Sequence, residues 1–84
     1  MKICEAAAKA LDILGKPCRA EEILKLICDK KMYDFNIEDS MYTLIDGILK
    51  SCENVRMPKE QKQKLFIRVH PNIFSLLEWE RKLI

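Results

Sequence analysis

Glycine is scarce in this chain, with two in 84 residues, Gly15 and Gly47. A Gly-rich loop that cradles phosphates is therefore excluded, and with it the nucleotide-binding fingerprints built on such loops. Histidine is scarcer still: His70 stands alone, with no nucleophile and base in a recognisable arrangement around it. The chain reads as no enzyme, needing neither cofactor nor small-molecule substrate, and no pocket is expected in so small a domain. Its four cysteines include no C-x-x-C pair, because Cys4, Cys18, Cys28 and Cys52 lie 14, 10 and 24 residues apart. That spacing suits neither a zinc site nor a disulfide framework, so small buried hydrophobes are expected instead and no metal. No apolar run approaches the roughly 18 residues of a membrane span. The N-terminus also lacks the charged, apolar, small-residue order of a signal peptide. An intracellular protein is expected, in the cytoplasm or nucleoid of a bacterium or the nucleus of a eukaryote.

What is present is a folding composition, 49% apolar and 33% charged, with room for one domain over residues 1–84. The net charge of +2 is unevenly spread. Residues 1–54 hold 8 Lys or Arg against 10 Asp or Glu, and residues 55–84 hold 7 against 3. The basic surface thus belongs to the C-terminal third.

Ile3, Ala6, Ala7, Ala10, Leu11 and Leu14 recur at helical spacing, with Gly15 as C-cap and Pro17 beyond it, which predicts a helix over about 3–14. Its alanines would let another helix approach closely. Cys18 follows as at most a one- or two-residue extended piece. Glu21 and Glu22 favour the positive end of a second helix, about 20–30, whose buried stripe is Ile23, Leu26 and Ile27. Met32, Tyr33 and Phe35 then form a short link tucked under the fold.

The third helix, 36–52, carries Met41, Leu44, Ile45, Ile48, Leu49 and Cys52 at offsets 0, 3, 4, 7, 8 and 11, one core-facing stripe. Asn36 is its expected N-cap, with Asp39 completing a capping-box-like pair. Gly47 inside the helix means either a close neighbour or a tolerated cost of about 1 kcal/mol. Residues 53–64 read as an exposed, mobile, basic loop broken by Pro58. Strands 65–69 and 73–77 flank His70-Pro71-Asn72 and predict a hairpin. The fold class that follows is mainly α with a small β-hairpin: a winged helix-turn-helix of three helices plus a two- or three-stranded wing. The terminal Trp79, Leu83 and Ile84 read either as a helix turn docked on the domain or as the start of something longer.

Several short segments together resemble the HARE-type helix-turn-helix family of Asx-like chromatin proteins, restriction endonucleases and the RNA polymerase delta subunit. They are Glu5-Ala-Ala-Ala8 through Ala10-Leu11, Leu14-Gly15-Lys16-Pro17, Glu21-Glu22-Ile23 with Ile27, Met32-Tyr33-Asp34, Leu44 with Ile48, Phe66-Ile-Arg-Val69 and Phe74-Ser-Leu76. Trp79 is similar to the end of the delta-type domain. The similarity runs over nearly the whole chain, but Pro71-Asn72 replaces the usual glycine at the wing tip and the 53–64 loop is longer and more basic. The resemblance implies DNA binding in transcription, chromatin regulation or restriction-modification, or protein binding.

For duplex DNA, the third helix would enter the major groove with Asn36, Tyr42, Thr43 and Lys50 as readers. Arg56, Lys59, Lys62, Lys64 and Arg68 would meet phosphates, with His70 and Asn72 at the wing tip. Glu38, Asp39 and Asp46 oppose this, because each would face a polyanion. The alternative is a protein partner or homodimer, docked on Asp39 and Asp46 and anchored by Trp79, Leu83 and Ile84.

Overall fold

A helix whose buried face is alanine can lie close to its neighbours, and the first helix does so. In the computed structural model, which describes residues 2–35, 37–59 and 62–82, α1 spans Ile3–Leu14 and buries Cys4, Ala6, Ala7, Ala10 and Leu11. It ends at Gly15, whose φ of 75° is the left-handed C-cap conformation, with the Gly15 N–H bonded to Leu11 O at 2.8 Å. Strand β1, Cys18–Arg19, leads straight into α2, Ala20–Asp29, which buries Ala20, Ile23 and Ile27. A 3-10 turn, Ile37–Asp39, precedes α3, Ser40–Lys50. Strands β2, Phe66–His70, and β3, Ile73–Leu76, form the hairpin, and a short α4, Leu77–Lys82, closes the described chain.

The three strands make an antiparallel sheet in the order β1-β3-β2. Cys18 pairs with Phe74, so the brief extended piece at Cys18 is the third strand of the wing. α1, α2 and α3 pack on one another, and α1 and α3 also contact the sheet. Leu11, Ile23, Ile27, Leu44, Ile48, Phe66 and Phe74 fill the core between them. The architecture is that of a winged helix.

Helix three is shorter than its apolar stripe suggests. It starts at Ser40 rather than 36, and Asp39 sits at the N-cap position without a side-chain hydrogen bond to the helix. The capping-box pair expected from Asn36 and Asp39 rests on Asn36, which lies outside the described residues. At the other end the helix stops at Lys50 because the sheet takes over its backbone. Ser51 O accepts from the N–H groups of Leu65 and Phe66 at 2.9 and 3.1 Å. Cys52 has already left the helix and bridges to Phe66 in parallel register. Cys52 keeps its place in the core, fully buried, but by another route.

The second strand ends one residue earlier than 73–77, since Leu77 opens α4 and donates its N–H to Leu65 O at 2.9 Å. The first strand lies at Phe66–His70 rather than 65–69, with an irregularity between Arg68 and His70 that leaves Val69 outside the paired register. Phe66 faces the core, and Arg68 and His70 are exposed. Phe66 and Arg68 pair in regular register on one face, so the strand runs from the core at Phe66 out to solvent at Arg68, and the irregularity comes only after that.

A close neighbour explains Gly47. A Cβ built there would lie 2.7 Å from Ile3 Cγ2 and 3.3 Å from Ile3 Cγ1. Replacing Gly47 by Ala gains about 1 kcal/mol of helix propensity, and overpacking costs about 1–3 kcal/mol. Gly47→Ala is therefore expected to lower the urea midpoint. In an Ile3→Ala background the same change should raise it, because the two Ile3 γ-carbons that the new Cβ would meet are then gone. A Gly47→Ala penalty of equal size in both backgrounds would show that this contact does not matter.

Candidate nucleic-acid interface

With the order β1-β3-β2, strand β2 has a free edge, and an unpaired edge must be covered or blunted. Residues 52–54 cover it. Cys52 bridges to Phe66, Glu53 N–H donates to Phe66 O at 3.0 Å, and Asn54 then uses its side chain where a strand would use its backbone. Asn54 Nδ2 donates to Arg68 O at 2.7 Å, and Asn54 Oδ1 accepts from Arg68 N–H at 2.8 Å. This two-bond clasp fixes the start of the basic loop to the wing. The loop expected to be mobile is thus anchored at its beginning, and Arg56 follows two residues after the clasp.

Across residues 53–70 there are five Lys or Arg against two Glu. Arg56, Lys59, Lys62 and Arg68 are exposed. Lys64 is half-buried and donates to Lys50 O at 3.5 Å, which ties the far limb of the loop to the end of α3. His70 is exposed at the wing tip. Asn72 is engaged elsewhere, its Nδ2 donating to both carboxylate oxygens of Glu21 at 2.9 and 3.0 Å. That bond, ahead of the local backbone, holds the Glu21 carboxyl below its usual range. The wing tip is thereby tied to the first turn of α2.

On α3 the residues expected to read bases differ among themselves. Tyr42 is 73% exposed, more open than the other exposed large hydrophobic side chains of the described surface, Ile13 and Val69. Thr43, Asp46 and Lys50 are half-buried and line a cleft against the start of α1, with Lys50 Nζ paired to Asp46 Oδ2 at 2.8 Å. A solvent-accessible pair one helical turn apart is worth only about 0.3–0.5 kcal/mol, so it steers Lys50 more than it stabilises the helix. Glu38 and Asp39 are exposed at the beginning of α3. Trp79 is half-buried and packs against the core, as a docked terminal turn does. Leu83 and Ile84 lie outside the described residues.

Asn54 and Glu21 were not among the expected site residues. Nothing local distinguishes Asn54, whose partner lies 14 residues away, or Glu21, whose partner lies 51 away.

Cys4, Cys18 and Cys52 are buried as expected, whereas Cys28, at the end of α2, is exposed. Burial pushes Cys52 from 9.0 up to about 11, against a smaller opposing pull from Arg68 and Lys64. Burial also raises Cys18, helped by a hydrogen bond with Glu22. A thiol whose folded value is raised stays protonated where the unfolded chain ionises, so its contribution is complete below about pH 9 and is lost toward pH 11. The stability advantage of wild type over Cys52→Ala is therefore expected to shrink across that window in urea titrations. A constant difference would refute the linkage.

Among the described residues no group of three or more His, Cys, Asp or Glu is placed to hold a metal ion, and no helix is long and apolar enough to cross a membrane. Set beside protein-family profiles, curated proteins and solved structures, the chain matches none of them.

Proposed function

We propose that this chain is a non-enzymatic DNA-binding module of the HARE type, working inside the cell in transcription, chromatin regulation or DNA restriction. The wing edge and basic loop meet the phosphates, and α3 approaches the major groove with Tyr42 and Thr43. The observation that carries this reading is the Asn54 clasp, which ties the chain two residues before Arg56 to the backbone of Arg68, with Lys59 and Lys62 further along the loop. Phosphate contacts supply affinity without sequence information. With carboxylates at the start of α3 and Lys50 committed to Asp46, base readout is modest and binding is mostly sequence-nonspecific.

The test is a fluorescence-anisotropy titration of a labelled duplex at low and moderate salt. Micromolar or tighter binding that falls steeply with salt is the expected result. Absence of binding at low salt, where attraction between charges is greatest, would overturn the proposal.

A second reading, protein–protein interaction, draws on Asp39, exposed at the beginning of α3 with Glu38 beside it. Under that reading, Asp39→Lys abolishes partner binding and leaves any affinity for DNA unchanged or raised.

A further inference from the structure

The link between α2 and α3 is not only tucked under the fold. It borders an open cleft of about 580 Å³, lined by Cys28, Lys31, Tyr33, Asp34, Phe35 and Ser40. A volume of this order is that of a ligand site. The rings of Tyr33 and Phe35 lie 4.8 Å apart, tilted by 56°, so they form a corner rather than a stack. Both are half-buried and packed against the core, which holds the corner in place.

The floor is set by the end of α2. Met32 N–H donates to Ile27 O at 2.9 Å, and Lys31 adopts φ 52°, a left-handed conformation that glycine usually takes at this point of a helix. Residues 29–39 carry four carboxylates against two lysines. Asp34 is in the lining, and Asp39 is exposed next to Ser40. Aromatic faces and carboxylates share one preference, for a cation with an apolar stem. In the described lining Asp34 and Lys31 balance, and the surplus of carboxylates lies in the flanking residues Asp29, Glu38 and Asp39.

We propose that this cleft binds an arginine side chain from a basic segment of a protein partner. The stem lies along the Tyr33–Phe35 corner and the guanidinium meets the Asp34 carboxylate. Lys31 is the one cation among the described residues of the lining and works against the ligand. The inference is independent of the DNA reading, because none of the described clasp, loop or wing residues lines this cleft.

The test is an amide-resolved NMR titration of the whole chain with the blocked tripeptide Gly-Arg-Gly and with its citrulline analogue, which keeps shape and loses charge. The arginine peptide should shift the amides of Tyr33, Asp34, Phe35 and Ser40 saturably, and the citrulline peptide should not. Asp34→Asn, a change at an exposed residue that leaves the core intact, should weaken binding by about threefold to fivefold. Lys31→Gly should tighten binding by a similar factor and raise the melting temperature, since it removes both the opposing charge and the strained φ. Equal shifts with citrulline, shifts confined to the wing, or self-association that covers the cleft without peptide would each overturn the proposal. Duplex DNA that shifts these amides more than those of the wing would overturn it too. If DNA binding itself fails, the peptide result stands unaffected.

Discussion

Raising monovalent salt from about 50 to about 200 mM is expected to weaken duplex binding by about 150-fold, from counterion release at about 0.9 per phosphate neutralised. The magnitude comes from Arg56, Lys59, Lys62 and Arg68, the four exposed cations of the loop and wing, taken as one phosphate each. Lys64 is left out because it is half-buried and bonded to Lys50 O. Reversing Lys59 and Lys62 to Glu leaves two contacts, and the same salt step should then cost only about twelvefold. Asn54→Ala separates placement from charge. It removes no cation but releases both hydrogen bonds to the Arg68 backbone, so the start of the loop that carries Arg56 is no longer anchored to the wing. Affinity should fall while net charge stays at +2. An Asn54→Ala protein with unchanged affinity and slope would show that the cations act as a diffuse cloud, and the clasp would lose its role.

Phe66→Ala is expected to cost about 3–5 kcal/mol, the largest effect on stability of any change considered. A domain of this length is stable by about 4–12 kcal/mol, so a large part of its stability goes. The reason is position as much as size. Phe66 is fully buried, pairs with Leu76 across the hairpin and bridges to Cys52 on the other side. Its N–H donates to Ser51 O, where α3 has ended, and its carbonyl accepts from Glu53, where the basic loop begins. One residue therefore joins helix, sheet and loop. Phe66→Leu retains most of the volume and should cost about 1.5 kcal/mol or less. Chemical denaturation measures both. A Phe66→Ala loss below about 1 kcal/mol would mean that the junction collapses around the gap rather than leaving a cavity.

The helices were legible because their signals are local. The stripe Leu44, Ile45, Ile48 and Leu49 lies within a few residues, and Gly15 with Pro17 marks a stop at the place where α1 ends. The hairpin was legible for the same reason, and so was the brief strand at Cys18, since Pro17 leaves little else for it. The ends of α3 were not. Its start depends on a 3-10 turn that no residue type demands, and its finish on Ser51 O being taken by Leu65 and Phe66. Trp79 shows the converse case, a large aromatic near a terminus that could face outward or inward until the sheet gives it a surface to cover.

The amino-acid order by itself determined the three helices, the hairpin, the burial of most apolar stripes and the concentration of basic charge in the C-terminal third, because periodicity and composition act over short stretches of chain. Only the tertiary structure decided that Gly47 makes room for Ile3, that Asn54 clasps Arg68, that Asn72 belongs to Glu21, and that Tyr33 and Phe35 meet at a corner beside Asp34. The first three join residues 14 or more positions apart, and the corner becomes a site only where the link between α2 and α3 folds against the core. Such contacts are set by the packing of elements already formed, so their partners cannot be read from either residue's immediate neighbours.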